Sequence, residues 1–249
     1  MRLISSDYDL SESLARIDAF LNEDIKKSDA GDYIPLLTEI EQQGMFRTIC
    51  TAVCIKLDLD GNNSSEVFKD SSQVIRAFVN EAIEILTSDS NCVDVSVVGF
   101  IIMAIYDTPF KASIEQIIDK LAMMHSLRDI INIKIMQKAE SCEINLQIGV
   151  HYGDVIMMQA SHVNNSVNNI MWTGDAPNLA LKLTLSNIND ERPIRITSKV
   201  YDNLRKDYQV YFRQQPLCTI PNIVYYDAAI VNTKMNNWVK INKKSDYEQ

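Results

Sequence analysis

Three features of the sequence predict an α+β protein in which helices pack against one mixed β-sheet. Apolar and polar residues alternate at the period of a strand through Thr51–Asp60. Apolar residues recur at helical spacing in Ser71–Thr87 and in Ser113–Ser126. Runs rich in Val and Ile meet at turn residues and indicate antiparallel hairpins. The resulting order, β-α-ββ-α-ββ-α-β-α, is typical of helices packed on a mixed sheet.

The size and charge of the chain limit the classes of function. The chain has 249 residues, of which 46% are hydrophobic, so it can bury one sizeable core. A net charge of −9 argues against a broad nucleic-acid surface. The longest apolar run, Val97–Tyr106, is too short to span a membrane. Five cysteines without a CxxC motif indicate reduced thiols, so we expect a cytoplasmic protein.

The start of the chain predicts a short helical lead-in over residues 1–45. Ser11–Leu21 and Ile34–Ile40 carry apolar residues at helical spacing, and the polar segment Ser28–Gly31 between them resembles a turn. We expect this lead-in to pack on the main domain or on a partner subunit.

The rest of the chain divides into a main domain over residues 46–215 and a C-terminal segment over residues 216–249. Strand-like runs occur at Tyr208–Gln214 and at Val224–Ile230, and the last residues form a polar tail.

Two aspartates close the first strand of the main domain. Asp58 and Asp60 lie on one face of that strand, and a Gly-Asn turn follows them. Carboxylates at a strand end can bind a hard cation such as Mg²⁺ or Mn²⁺. A solvated strand end explains the same residues equally well.

The segment Cys92–Tyr106 predicts a hairpin that turns at Gly99 and Phe100. Its apolar residues are nearly continuous, so we expect both strands to be covered on both faces. Phe100 is unusual at a hairpin tip, and we expect it to pack against a neighbouring element or subunit.

A second hairpin is predicted over Glu143–Met158, with its turn at His151–Asp154. His151 has no second histidine nearby, so a structural role explains it better than metal binding. The asparagine-rich residues 164–169 predict a loop. Further along, Thr197 or Ser198 can cap a short helix.

The segment Ile170–Thr184 contains the strongest candidate for a binding site. A Gly-Asp turn precedes a helix in which Pro177 would be the first residue. Asn178 and Lys182 are four residues apart, so they lie on one face of that helix and can hold an anionic group. An ordinary helix start with two exposed polar residues is the alternative.

The element order and five short motifs resemble the class III nucleotidyl cyclases over about Arg47–Leu204. The motifs are Asp58-Leu59-Asp60-Gly61, Val98-Gly99-Phe100, Ile148 to Val155, the set Gly174, Asn178 and Lys182, and Ile196 to Leu204.

Within that group, the segment WTGDAPNLALKLT is similar to the pyrimidine cyclases of bacterial anti-phage Pycsar systems. These enzymes make cyclic UMP or cyclic CMP, and they too carry Lys at the position of Lys182. The positions at which purine cyclases carry a base-reading Lys and Asp are Ser96 and Met171 here. The resemblance therefore implies UTP or CTP as the substrate.

The resemblance also implies a mechanism. Carboxylates, here Asp58 with Asp60, would hold Mg²⁺ or Mn²⁺ ions that bind the triphosphate and activate the ribose 3′-hydroxyl. Asn178 would orient the ribose, and Lys182 would stabilise charge on the phosphate. Each site would form between the subunits of a homodimer, and the cyclic product would act on a separate effector.

One departure from the family pattern leaves alternatives open. Phe100 stands where the family has its second metal aspartate, and Asp60, Asp94 and Asp107 are the carboxylates nearby in sequence. In the interpretation we favour, the chain is an active pyrimidine cyclase that uses Asp58 with a displaced second carboxylate. The alternatives are a degenerate cyclase fold that binds a nucleotide or partner without turnover, and a plain dimerisation module.

Overall fold

The helices and strands below belong to a computed structural model. It describes residues 9–22, 27–31, 33–35, 39, 45–60, 67–138, 142–162, 165–186, 191–216 and 223–245. The strands are β1 (Lys27–Gly31), β2 (Met45–Asp60), β3 (Cys92–Val98), β4 (Ile101–Tyr106), β5 (Glu143–His162), β6 (Asn165–Thr173), β7 (Ile194–Thr197), β8 (Arg213–Gln214) and β9 (Tyr225–Ala228). The helices are α1 (Leu10–Asn22), α2 (Val67–Thr87), α3 (Lys111–Gln137), α4 (Asp175–Leu185), α5 (Ser198–Asn203), α6 (Lys206–Gln209) and α7 (Thr233–Ser245).

All the described strands belong to one mixed sheet. Its order is β3-β4-β2-β5-β7-β9-β8, with β1 paired to β2 and β6 paired to β5. The pairs β1–β2 and β5–β7 are parallel, and the other pairs are antiparallel. The predicted order of helices and strands in the main domain is therefore correct.

A long antiparallel ladder between β2 and β5 forms the centre of the sheet. It runs without a break from the pair Met45–Met158 to the pair Asp60–Glu143. The predicted turn at His151–Asp154 is wrong, because these residues pair with β2 and β5 continues through them. The hairpin instead joins β5 to β6, so the asparagine-rich segment predicted as a loop is largely a strand.

The sheet has two unequal faces. The first, which we call the helix face, packs against α2 and α3 through a large apolar core that includes Ile55, Phe78 and Leu121. The second, which we call the site face, carries a smaller core that includes Cys54 and Ala180. Strand alternation assigns each side chain of β2 and β5 to one face or the other.

The N-terminal segment differs from the predicted helical lead-in. Ser28–Gly31, predicted as a turn, lies in β1 and extends the sheet beside β2. Helix α1 confirms the predicted helix, but Leu14 and Leu21 on it are 52% and 78% exposed. Most of the helix predicted at Ile34–Ile40 lies outside the described residues.

The C-terminal segment adds both a strand and a helix to the domain. Strand β9 confirms the prediction at Val224–Ile230, whereas the run Tyr208–Gln214 forms part of α6 and the short β8. Helix α7, which the sequence did not predict, follows β9. The backbone N–H of Asn232 donates to the carbonyl of Ala122 on α3, which ties the start of α7 to the helix face.

Strand β3 is an edge strand and is only half covered. Val97 and Val98 are 41% and 76% exposed, so the predicted burial of both hairpin strands is wrong for β3. The hairpin itself and its turn at Gly99 are confirmed. Among the described residues, the helices lack a stretch long and apolar enough to cross a membrane. The four described cysteines are free thiols, and burial raises the pKa of Cys54 to about 11.

Candidate active site

Helix α4 lies across the site face and presents two polar side chains outward. Gly174 precedes it with φ of 131°, a conformation that favours glycine. Asn178 and Lys182 are exposed, while Ala180 is buried. Pro177 is the third residue of the helix and not the predicted first one. The predicted pairing of Asn178 and Lys182 on one exposed face agrees with this geometry.

A glycine on β5 allows α4 to approach the sheet closely. A Cβ atom on Gly149 would lie 2.1 Å from the carbonyl oxygen of Ala180. The hydroxyl of Thr184 donates to the carbonyl of Cys54 at 3.0 Å. The position of α4 is therefore fixed by direct contact with β2 and β5.

A buried arginine holds the C-terminal end of α4. Arg195 on β7 is fully buried, and its Nη1 donates to the carbonyls of Leu183 and Ser186 at 2.9 and 2.8 Å. A cation is favourable at this end of a helix because the helix dipole is negative there. The sequence prediction did not include this role, although a charged residue between Ile194 and Ile196 is an unusual pattern for a buried strand.

Asp58 lies at the end of β2 on the site face, and a lysine occupies its carboxylate. The Nζ of Lys56 lies 2.6 Å from Oδ1 and 2.8 Å from Oδ2 of Asp58. The two side chains are 28% and 36% exposed. Asp60 follows on the same strand face, but its side chain is not among those described. Lys56 was not among the predicted site residues, although strand alternation places it on the same face as Asp58.

The turn of the β3–β4 hairpin lies directly beside this ion pair. The backbone N–H of Leu57 donates to the carbonyl of Phe100 at 2.9 Å. Gly99 adopts φ of 59° in the turn, and Phe100 is 40% exposed. The position at which the family carries its second metal aspartate is therefore next to Asp58, and it holds an aromatic ring.

Neither Asp94 nor Asp107 occupies the position of the second metal aspartate. The carboxylate of Asp94 accepts a 2.7 Å hydrogen bond from the indole of Trp172. Asp107 follows Tyr106, which pairs with Thr51 at the other end of β4. Burial raises the pKa of the Asp107 carboxyl.

The described side chains fit one divalent ion better than two. Hard cations take six or more oxygen ligands, often from several carboxylates. Groups of three or more His, Cys, Asp or Glu side chains that could hold a metal do not occur in the described part of the chain. One ion at Asp58 agrees with the described side chains, whereas Phe100 cannot bind a second ion.

The two predicted base-reading positions lie on different faces of the sheet. Ser96 is exposed on the site face, opposite Met103. Met171 is 45% exposed, and alternation along β6 places it on the face opposite to Trp172. The structure therefore brings Ser96 close to the Trp172–Asp94 hydrogen bond and leaves Met171 apart from it.

Lys182 stands apart from the Asp58 carboxylate. Among the described residues, Lys182 takes part in neither a hydrogen bond nor an ion pair with Asp58. A helix face that presents an amide and an ammonium outward is suited to bind a group held by a second subunit.

His151 is a structural residue below α4. It is 2% exposed, and its Nδ1 makes a 2.7 Å hydrogen bond with the hydroxyl of Thr197. Burial lowers its pKa to about 4, so the ring is neutral at pH 7. Thr197 lies at the N-terminus of α5, but its hydroxyl serves His151 and does not cap the helix.

The sequence of this chain is similar to one protein family and to two uridylate cyclases. Residues 58–220 match the family described as the adenylate and guanylate cyclase catalytic domain. A uridylate cyclase from Treponema porcinum is 26% identical over 93% of this chain and 81% of its own length. A uridylate cyclase from Gulbenkiania mobilis is 24% identical over 98% of this chain and 100% of its own length.

Solved cyclase structures share the fold. The guanylyl cyclase Cya2 superposes with a TM-score of 0.59 at 15% identity, over 76% of this chain and 96% of its own. The adenylyl cyclase CyaB from P. aeruginosa gives a TM-score of 0.57 at 12% identity, over 75% of this chain and 97% of its own. These likenesses confirm the predicted fold class. The chain belongs to the adenylate and guanylate cyclase catalytic domain family.

Proposed function

We propose that this chain is a pyrimidine nucleotide cyclase that converts UTP or CTP to the 3′,5′-cyclic monophosphate and pyrophosphate. The observation that carries the proposal is its similarity to two uridylate cyclases over nearly the whole chain. The exposed pair Asn178 and Lys182 on α4 supports it, because these residues match the positions that act on ribose and phosphate in the family.

The proposed reaction is an in-line displacement at the α-phosphate. The ribose 3′-oxygen attacks phosphorus, and pyrophosphate leaves. Asn178 orients the ribose by hydrogen bonds, and the Lys182 ammonium stabilises the negative charge that grows on the phosphate. Both residues lie on a helix fixed to the sheet through Gly149 and Arg195, so they keep their positions during the reaction.

The proposal includes one Mg²⁺ or Mn²⁺ ion, held by Asp58 with Asp60. When bound, the ion neutralises part of the triphosphate charge. The net charge of −9 makes such local positive charge necessary, since the protein as a whole repels a nucleotide.

A homodimer completes the proposed site. Lys182 of one subunit would reach the nucleotide held at Asp58 of the other. This would explain why α4 presents Asn178 and Lys182 outward. The cyclic product would then act as a second messenger on a separate effector, in anti-phage defence.

A product assay tests the proposal. The purified protein is incubated with each of ATP, GTP, CTP and UTP in the presence of Mn²⁺, and cyclic monophosphates are measured by mass spectrometry. We expect cyclic UMP or cyclic CMP, and we expect Lys182→Met to abolish it. Cyclic AMP or GMP as the main product would contradict the assigned substrate class.

A degenerate cyclase fold that binds nucleotide without turnover is the second candidate. The aromatic ring of Phe100 at a metal position, beside a carboxylate already paired with Lys56, favours it. Binding of UTP or CTP, measured by calorimetry, without product from any of the four nucleotides would support this candidate against the first.

A further inference from the structure

We propose that the ammonium of Lys56 takes the place of one of the two divalent ions that the family mechanism implies. The chain would then bind the triphosphate with one metal ion and one built-in cation. This inference rests on the proposed nucleotide site, and it assigns a function to a residue that the proposed reaction does not otherwise use.

The ammonium of Lys56 lies at the position that a metal ion bound to the Asp58 carboxylate would occupy. Lys56 and Asp58 are two residues apart on one strand, so both side chains project from the site face. The Nζ contacts both oxygens of Asp58, at 2.6 and 2.8 Å. A cation bound by both oxygens of a carboxylate imitates a bidentate metal ion in position and in sign of charge.

The neighbouring turn has lost the carboxylate that a second ion would need. Phe100 is joined to Leu57, between Lys56 and Asp58, by a backbone hydrogen bond. Asp94 is held by Trp172. A second divalent ion next to Asp58 would therefore meet the Lys56 ammonium, and Phe100 would offer it no oxygen ligand.

The charges balance when one ion is replaced in this way. Two carboxylates with two divalent ions leave a net charge of about plus two. Asp58, the Lys56 ammonium and one divalent ion leave the same net charge, and Asp60, which the proposed ion site includes, lowers it to about plus one. Loss of the aspartate at Phe100 and gain of Lys56 each raise the charge by one, so together they replace the charge of one divalent ion.

A purely structural role explains Lys56 less well. Its side chain and that of Asp58 are 28% and 36% exposed, and ion pairs of this kind contribute little to stability. The pair also lies at the end of β2, on the face that carries α4. The ammonium is therefore free to transfer from Asp58 to a phosphate oxygen without loss of the fold.

The test measures nucleotide binding and metal stoichiometry with 3′-deoxy-UTP, which cannot cyclise. Mn²⁺ per bound nucleotide is measured by electron paramagnetic resonance, and affinity by calorimetry. We expect one Mn²⁺ per bound nucleotide in the wild type. Lys56→Met should weaken nucleotide binding at least tenfold at saturating Mn²⁺, and Lys56→Arg, which keeps the charge, should retain most of the affinity.

Lys111→Met is the matched control, because Lys111 is exposed and begins α3, beyond the far end of β4 from Lys56. It removes the same charge and should leave binding unchanged. Circular dichroism shows whether each variant is folded. Two Mn²⁺ ions per nucleotide in the wild type would overturn the inference. Wild-type affinity of Lys56→Met for nucleotide and Mn²⁺ would also overturn it. Lys56 would then occupy a metal position without contributing to binding.

The outcomes separate this inference from the proposed reaction. Binding with one Mn²⁺ and a dependence on Lys56, but without cyclic product, would support the role of Lys56 and contradict the cyclase. Cyclic UMP or CMP made with two Mn²⁺ ions would support the cyclase and contradict the role of Lys56. Complete failure to bind a nucleotide would overturn both.

Discussion

Trp172 donates a 2.7 Å hydrogen bond from its indole Nε1 to the Oδ2 atom of Asp94. This bond connects β6, which leads into the site helix, with the edge strand β3. Ser96 lies two residues after Asp94 on the same face. The bond therefore couples the start of α4 to the strand that carries a predicted base-reading residue.

Trp172→Phe removes this donor and keeps an aromatic ring. We expect the free energy of unfolding to fall by about 2 kcal/mol, because a partly buried carboxylate loses a hydrogen bond. Chemical denaturation measures this change. Asp94→Asn keeps an oxygen acceptor and should cost less. Equal stability of Trp172→Phe and the wild type would show that the bond contributes nothing to the fold.

Gly149→Ala should displace α4 from the sheet. The new Cβ would lie 2.1 Å from the carbonyl of Ala180, so the helix must move. We expect a loss of about 3 kcal/mol in stability and a loss of cyclase activity. Gly99→Ala is the control. Its Cβ would meet nothing within 4 Å, and its φ of +59° alone should cost about 1 kcal/mol.

Arg195→Met should destabilise the C-terminal end of α4. The carbonyls of Leu183 and Ser186 would lose a buried donor, at a cost of about 3 kcal/mol. In Arg195→Met, hydrogen exchange in α4 should become faster than in the wild type, and the change should be larger in α4 than in α2. Arg213→Met removes an exposed arginine from β8 and should have little effect. Similar results for the two variants would contradict the assigned role of Arg195.

The stability of the protein should fall as the pH is lowered from 7 to 5. The pKa of His151 is lowered to about 4 in the fold, whereas its ordinary value is 6.5. In this range the unfolded chain binds a proton that the folded chain does not, so acid favours unfolding. We expect His151 to contribute a loss of about 2 kcal/mol between pH 7 and pH 5.

His151→Asn removes this titration and can keep a hydrogen bond to Thr197. The variant should be less stable at pH 7 but should lose less stability between pH 7 and pH 5. Denaturation curves at several pH values measure the slope. Burial also lowers the pKa of His125, so a smaller slope of the same sign should remain. An unchanged slope would show that His151 does not titrate in this way.

Two inactive variants should restore activity when they are mixed, if each site forms between two subunits. Asp58→Asn and Lys182→Met damage opposite halves of the proposed site. A mixed dimer contains one intact site, so a random mixture should regain about one quarter of the wild-type activity. Absence of activity in the mixture, although each variant alone is dimeric, would place Asp58 and Lys182 in the same site of one subunit.

Most of the local structure followed from local sequence patterns. The alternation in Thr51–Asp60 and the helical spacing in Ser71–Thr87 both predicted the correct element. The pattern failed at His151–Asp154, where a Gly-Asp pair resembles a turn. These residues stay extended because β2 pairs with them along their whole length, and β2 lies about a hundred residues earlier in the chain.

By itself, the sequence determined the order of elements in the main domain and the outward pairing of Asn178 with Lys182. Those features depend on residues close together in the chain, whose spacing sets which side chains share a face. Only the tertiary structure decided that Phe100 lies beside Lys56 and Asp58, and that Arg195 holds the end of α4. These contacts join separate strands and a helix, and they form only when sheet pairing brings distant segments into register.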